Sequence, residues 1–382
     1  MNIDASHSNQ SGSILATAEE LGKTFATRTE QCDETDSFVA ENFEMLRSSG
    51  LVEAGVPREL GGGGAGIDEL AQMLRILGNY CSSTALAFSM HTHQVAIPAW
   101  RWQHQNFKGV EPLLKRIVSE KPILLSSGGS DWIAGSGSAE KVDNGFKITA
   151  RKVFTSAAPA GDLLMTGAVL RGENEPDMVL HFAIPMNSPN VKVMNNWKTL
   201  GMRGTGSNDV VIDGHVIPES AVFLKRKAGE WHPVFQLIAT VAFPLIYAVY
   251  LGVAESAREI ALKLAAKRRP EHHLLELLGR MDTALLGAKL AHKAMLAATQ
   301  ANTPGQQSVN EVMMGKHLMT RHAIESVELA LEAAGGAGFF RAQGLERRFR
   351  DIQGARYHPL QVGPQALYAG SMALSLPTEK IF

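Results

Sequence analysis

Residues 234–254 form an almost unbroken apolar run, long enough to cross a bilayer. A chain must either place such a segment in lipid or surround it with protein. Pro244 near its middle, Gln236 and Thr240 within it, and the absence of a second such run argue for enclosure. A helix that is apolar all round belongs inside a bundle. The 382 residues are 45% apolar and 20% charged, ample for a large core, and at about 150 residues per domain they predict two or three domains. The formal net charge of −1 offers no field to gather a polyanion, so nucleic acid is not the expected partner, and neither is a membrane. Cys32 and Cys81 fit neither a metal spacing nor a disulfide framework, and the polar first residues lack a secretion signal. Together these predict a cytoplasmic protein without a metal site.

The remaining patterns divide the chain into α, β and α portions. Residues 1–36 read as a loosely held arm or a short first helix. The spacing predicts helices over 38–49, ending at Gly50, and over 67–79, then one capped by Ser82, Ser83 or Thr84 that carries His91 and His93, and a further helical region over 98–121. From Pro122 to about Val222, short alternating runs such as 162–170, 178–185 and 209–218, broken by turn residues, predict an all-β barrel or sandwich. Long helices return over 234–267, kinked at Pro244, and over 274–299. A third begins at a capping box of Ser308 with Glu311. The expected architecture is α+β: an N-terminal α-helical domain (1–121), a middle β domain (122–228) and a C-terminal four-helix bundle (229–382).

The stretch most suggestive of chemistry runs from Pro122 to Ala158. An apolar run, Ile123–Leu125, empties into Ser126-Ser127-Gly128-Gly129-Ser130-Asp131, where small residues let backbone approach a bound molecule. A hairpin signal at Asp143-Asn144-Gly145 returns the chain through Lys152-Val153-Phe154-Thr155-Ser156. Hydroxyls and one aromatic would then converge, as a flat aromatic cofactor requires, although an ordinary hairpin with a polar loop reads equally well from this stretch alone.

Six segments in order resemble the acyl-CoA dehydrogenase superfamily of flavoproteins: Gly55-Val56-Pro57 with Gly61–Gly64; Gly129-Ser130-Asp131; Lys152–Ser156; Leu200–Arg203 with Gly206–Val210 and Val216–Pro218; Ala334–Phe339; and Phe349-Arg350-Asp351. The resemblance covers the chain from about residue 38. It implies FAD, or FMN in the monooxygenase branch, and a homo-oligomer, tetramer or dimer, in which the segment at 335–340 reaches a neighbour's cofactor. It places Ser126, Ser127, Gly129, Ser130, Phe154, Thr155 and Ser156 around the flavin ring. Arg268, Glu332, Gly335 and Gly336 would lie along the rest of the cofactor, and His91, His93, Ser130 and Tyr357 beside substrate.

The chain departs from the dehydrogenase pattern at the catalytic base. The family's glutamate position falls on Pro359, preceded by His358, and the alternative position falls near Ala242 and Phe243. His272-His273 read as a loop pair where the family carries a longer flavin loop. His358 is the substitute base that the sequence offers, with an ordinary imidazole pKa of about 6.5. In the monooxygenase branch a histidine also ends this segment, and a serine placed like Ser156 steadies the flavin–oxygen adduct. Three readings follow. The first is a dehydrogenase moving hydride from an acyl-CoA-type substrate to FAD and passing electrons to an acceptor. The second is a two-component monooxygenase supplied by a flavin reductase and acting on an aromatic or small heteroatom substrate. The third is a catalytically silent flavin-binding homologue.

Overall fold

The structure is a computed structural model describing residues 5–379; the side chains of residues 5–13 and of Ser130 fall outside the described set. Its axis is helix α7 (Val234–Ala265), of whose most apolar window 94% is buried in protein. Pro244 lacks an amide proton, so the carbonyl of Thr240, four residues earlier, loses its helical donor. Thr299 Oγ1, from α8 (His272–Gln300), donates to that carbonyl at 2.7 Å, and His292 Nε2 of α8 meets Pro244 O at 2.8 Å. The helix therefore continues through the proline. Helix α9 (Gln306–Ala334) packs on both, and the short α10 (Leu345–Ile352) closes the bundle against α7 and α9.

Two local expectations for these helices need correction. His272 and His273 open α8 rather than sitting in a loop. Helix α9 starts two residues before Ser308, whose Oγ accepts the Gly305 amide proton at 2.8 Å from within the first turn, while Glu311 takes Gln307 Nε2 instead.

The N-terminal portion is more ordered than its polarity suggested. Of the arm or short first helix expected there, helix is found, as α1 (Ala5–Ala26), longer than a short one, and α2 (Thr29–Thr35). Helix α1 buries Ala18 and Phe25, and Tyr80 bonds Glu19. Helix α3 (Ala40–Ser48) precedes Gly50, α4 (Ile67–Tyr80) lies against α7, α5 (Ser82–His104) passes through Pro98, and α6 (Glu111–Glu120) follows. Two glycines bring α4 and α7 backbone to backbone. A Cβ on Gly252 would lie 2.2 Å from Arg75 O, and one on Gly78 would lie 2.6 Å from Val249 O.

Strands occupy the middle of the chain: β1 (Leu124–Ser126), β2 (Ser138–Val142), β3 (Gly145–Lys152), β4 (Leu163–Leu170), β5 (Met178–Pro185), β6 (Val191–Val193), β7 (Val210–Ile217) and β8 (Leu224–Lys227). They form one mixed sheet in the order β6-β7-β3-β2-β4-β5-β8, with β1 added to β4. The β2–β3 hairpin turns at Asp143-Asn144, pairing Val142 with Gly145. Strands β1 and β2 both run parallel to β4, opposite Leu163–Met165 and Val169–Leu170 respectively. The stretch of β4 between those pairings, 166–168, is where the serine- and glycine-rich loop bulges out.

Removing the Thr299 hydroxyl orphans a buried carbonyl, so Thr299→Val should lower stability by about 1–3 kcal/mol in urea unfolding. Thr283→Val, which removes a comparable hydroxyl bond on the exposed side of α8, should change it far less.

Candidate active site

The serine- and glycine-rich loop is pinned from beneath by two buried cations. Lys152, at the end of β3, is wholly enclosed; Nζ donates to Asp131 Oδ2, Ser136 O and Ser136 Oγ at 2.9 Å each and to Gly167 O at 2.6 Å. Burial pulls the ammonium pKa down while the Asp131 carboxylate opposes that pull. Arg226 of β8 donates to Asp131 O at 3.0 Å, to Ile133 O at 2.7 Å and to His181 Nε2 at 3.0 Å. The gap in β4's edge is thus filled by a lysine instead of a strand.

The predicted loop residues come together, but several hydroxyls are already engaged. Ser127 Oγ lies 3.0 Å from Thr166 Oγ1, and Ser126 Oγ faces Met90 Sδ at 3.8 Å. Gly128 N donates to Val153 O at 3.0 Å, joining the loop to the Phe154 segment. A Cβ on Gly129 would come within 2.7 Å of Pro359 Cγ. That glycine is therefore required by the chain's own proline, and not only by a bound molecule. The Ser130 side chain, expected at both cofactor and substrate, lies outside the described residues.

Phe154 adopts a left-handed conformation, φ +53°, and its ring is 58% exposed, edge-on to Trp197 at 5.7 Å. A non-glycine residue held there carries strain that the surrounding structure must sustain. Thr155 points into the core with its hydroxyl 3.4 Å from Lys152 O, so it offers no hydroxyl to a cofactor, contrary to expectation. Ser156 Oγ belongs to a buried hydroxyl chain, 2.8 Å from Ser207 Oγ, which is 2.7 Å from Thr205 Oγ1.

On the other side of the loop, a strap at 353–360 is held by α7 and α9. Tyr247 donates to Ala355 O at 2.6 Å, and Tyr250 OH lies 2.8 Å from His358 Nε2. Lys316 of α9 donates to His358 O at 2.8 Å and also to Leu360 O. The rings of Tyr247 and Tyr250 stand at 5.8 and 5.6 Å from that of His358. His358 keeps a partly accessible edge, yet packing lowers its pKa to about 3, with Lys316 and His93 adding to the shift. The sequence reading of an ordinary imidazole base is therefore corrected: the ring is neutral and weakly basic. His93 is likewise pushed to about 4 by burial. Its Nδ1 must be the protonated nitrogen, since it faces Ser89 O at 3.0 Å.

His91 does not line this region. Leu124 N donates to its Nδ1 at 3.1 Å, and its Nε2 therefore donates to Val52 O at 2.9 Å. Both nitrogens are spent on joining α5 to β1, which replaces the expected substrate contact. Tyr357 is 67% exposed. The expected cofactor residues of the bundle form a separate group. Arg268 donates to Ala333 O at 2.7 Å beside Gly335, a Cβ on Gly336 would meet nothing within 4 Å, and Glu332 is exposed. No hydrogen bond or ring contact among the described residues joins this group to Phe154 and Ser156. A cavity of about 1180 Å³ lies elsewhere, between residues 134–138 and strands β3 and β7, and has mixed charges from Arg151, Arg171, Asp177 and Asp213.

Sequence reasoning missed Lys316, Tyr247, Tyr250 and Asp131 as site-builders. Tyr247 and Tyr250 were visible as polar tips within the apolar run; nothing in the sequence marked Lys316 as buried. Asp351, in the Arg-Asp segment, is also structural: it accepts from Ser82 Oγ and Met202 N, each at 2.5 Å.

Residues 12–109 match the model of the acyl-CoA dehydrogenase N-terminal domain, and residues 245–361 match that of the acyl-CoA dehydrogenase C-terminal domain. The chain belongs to the acyl-CoA dehydrogenase superfamily. Among relatives within it, L-evernosamine nitrososynthase of Micromonospora sp. is 26% identical over 369 residues, covering 90% of this chain and 86% of its own. Dibenzothiophene monooxygenase of Mycolicibacterium goodii is 25% identical over 395 residues, covering 91% and 90%. Acyl-CoA dehydrogenases also stand among the relatives. The solved structure of KijD3 with FMN and a dTDP-linked amino sugar has the same fold, with TM-score 0.88, 24% identity and coverage of 97% of this chain and 95% of its own. The exposed Phe154 ring, the Ser156 hydroxyl and the open flank of Gly336 suit the flavin that such a family member carries.

Burial holds His91, His93 and His358 well below the ordinary imidazole value. The unfolded chain therefore binds more protons than the folded one between about pH 6.5 and 4. Stability should be full above that window and fall on acidification through it, by about 2–3 kcal/mol per buried histidine. Denaturant titrations at stepped pH check this. Asp131→Asn, which strands the Lys152 charge, should cost about 3 kcal/mol in the same assay.

Proposed function

We propose that this protein is a two-component monooxygenase that takes reduced flavin, FMN or FAD, from a separate reductase and oxygenates an aromatic or small heteroatom substrate. The geometry that carries this reading is the His358 imidazole held 2.8 Å from Tyr250 OH, on a strap with proline and no carboxylate at 359. An imidazole with a pKa of about 3 is too weak to remove the α-proton of a thioester, whereas it can orient a neutral substrate by hydrogen bonding. The nitrososynthase and monooxygenase relatives support the same branch.

Reduced flavin would supply two electrons and activate O₂, with the substrate supplying the other two; one oxygen atom enters the substrate and the other leaves as water. The protein's own residues do the rest. Phe154 forms the apolar wall for the ring, and Ser156 offers a hydroxyl already oriented by Ser207 and Thr205. Tyr250, whose pKa burial raises well above the ordinary value, stays protonated and fixes the His358 ring. Phe243, Tyr247 and Tyr250 back this corner as fully buried apolar packing that holds the His358 ring in place. Exposed Leu286, Leu290, Met314 and Leu318 on α8 and α9, with Phe339 and Phe340, support a homo-oligomer in which Arg268, Gly335 and Gly336 complete a neighbour's cofactor site.

The test supplies photoreduced FMN and O₂ with dibenzothiophene and measures oxygenated product and peroxide. Oxygenated product is expected. Rapid bleaching of bound oxidised FAD by octanoyl-CoA would return the protein to the dehydrogenases. Ser156→Ala should raise the peroxide released per flavin consumed, and His358→Ala should lower product formation by roughly 10²-fold. Because His358 is already neutral near pH 6.5, the acidic limb of the product-formation profile should show no group titrating there.

A further inference from the structure

Lys316 is 1% exposed, and no carboxylate is paired with it among the described residues. Its ammonium instead bridges the carbonyls of His358 and Leu360, the residues on either side of Pro359. It also lies 5.2 Å from the Phe243 ring centroid and 5.9 Å from that of Tyr247, close enough for cation–π attraction. Burying a cation on neutral acceptors alone is costly, as its lowered pKa of about 7 reflects. The expenditure is local to three residues of the strap.

Those three residues connect two parts of the site. His358 presents its ring to Tyr250, and the Pro359 ring seats where a side chain on Gly129 would be. The loop bearing Gly129 is fixed on its far side by Lys152 through Asp131. A displacement of the strap would therefore move the imidazole and remove the stop against which the loop rests.

We propose that Lys316 is a positioning residue that sets the height of His358 and, through Pro359 on Gly129, the seat of the flavin loop. Its consequence for cofactor binding rests on the flavin reading given above; its grip on the strap does not.

Arg356 is an exposed trypsin target within the strap, so cleavage after it reports whether the strap is held, with no flavin present. Lys316→Met preserves bulk but removes the ammonium from both carbonyls, leaving Leu360 O only the His317 imidazole. It should be cleaved at Arg356 roughly tenfold faster than the wild type while keeping its helix content. FMN titration followed by fluorescence should show affinity weakened about tenfold, and reduced FMN should release more peroxide per turnover. Lys316→Arg, with donors for both carbonyls, should recover part of each loss, which a mere change of core volume would not. If Lys316→Met fails to fold, Lys316→Gln, able to reach one carbonyl at most, should show the same order of cleavage and affinity. Equal cleavage at Arg356 in the wild type and the folded variants would overturn the proposal. Failure of the wild type to bind FMN and FAD alike, oxidised or reduced, would instead overturn the flavin reading, and the cleavage comparison would still decide the role of Lys316.

Discussion

The enclosure of α7 is the constraint on which the rest depends. A helix apolar on every side has no solvent face, so α4, α5, α8, α9 and α10 must all pack against it. Its proline would leave a carbonyl unsatisfied in that dry interior, and Thr299 supplies the missing donor. The same helix carries Tyr247 and Tyr250, whose hydroxyls are the polar atoms it spends on the strap. The strap is therefore attached to a helix enclosed in protein, 94% buried over its most apolar window, and a rigid element is where side chains are best held in place.

The polar interior follows a consistent rule. Lys152, Arg226 and Lys316 are each buried, and each bonds a backbone carbonyl of an irregular segment, Ser136 O, Ile133 O and His358 O respectively. Loops lack ladder partners, so their carbonyls need donors from elsewhere, and a long cationic side chain can satisfy several at once. Lys152 has Asp131 to balance its charge, whereas Lys316 has only aromatic faces and carbonyl dipoles. The two lysines thus fix the same neighbourhood with different electrostatic compensation.

Much of the architecture was legible in the sequence because it rests on periodicity and turn chemistry. The apolar run became α7, the Asp-Asn-Gly turn became the β2–β3 hairpin, and β5 covers the predicted 178–185. The middle β domain is found where the alternating runs placed it, but the order of strand pairing was not legible, because strand patterns reveal faces and not partners; the pairing is one mixed sheet. Of the arm and the short first helix that residues 1–36 allowed, helix is found, and the 22-residue length of α1 was not legible because it rests on tertiary contact with α4. At the site, Phe154 and Ser156 were identifiable as residues, but the engagement of His91 by two backbone groups depends on contacts distant in sequence. The depressed basicity of His358 likewise arises from Lys316, His93 and burial, none of which adjoins it in the chain.

The split edge of β4 has a consequence for how such a site can diversify. Strands β1 and β2 each find their own register on the same neighbour, so the sheet fixes both ends of the intervening loop independently. Residues can be gained or lost between those anchors without sliding any strand, because no ladder runs through the interval. The serine- and glycine-rich loop is in effect a replaceable panel in a frame whose dimensions do not depend on it, and the contacts of Lys152 mark where any replacement must still be fastened.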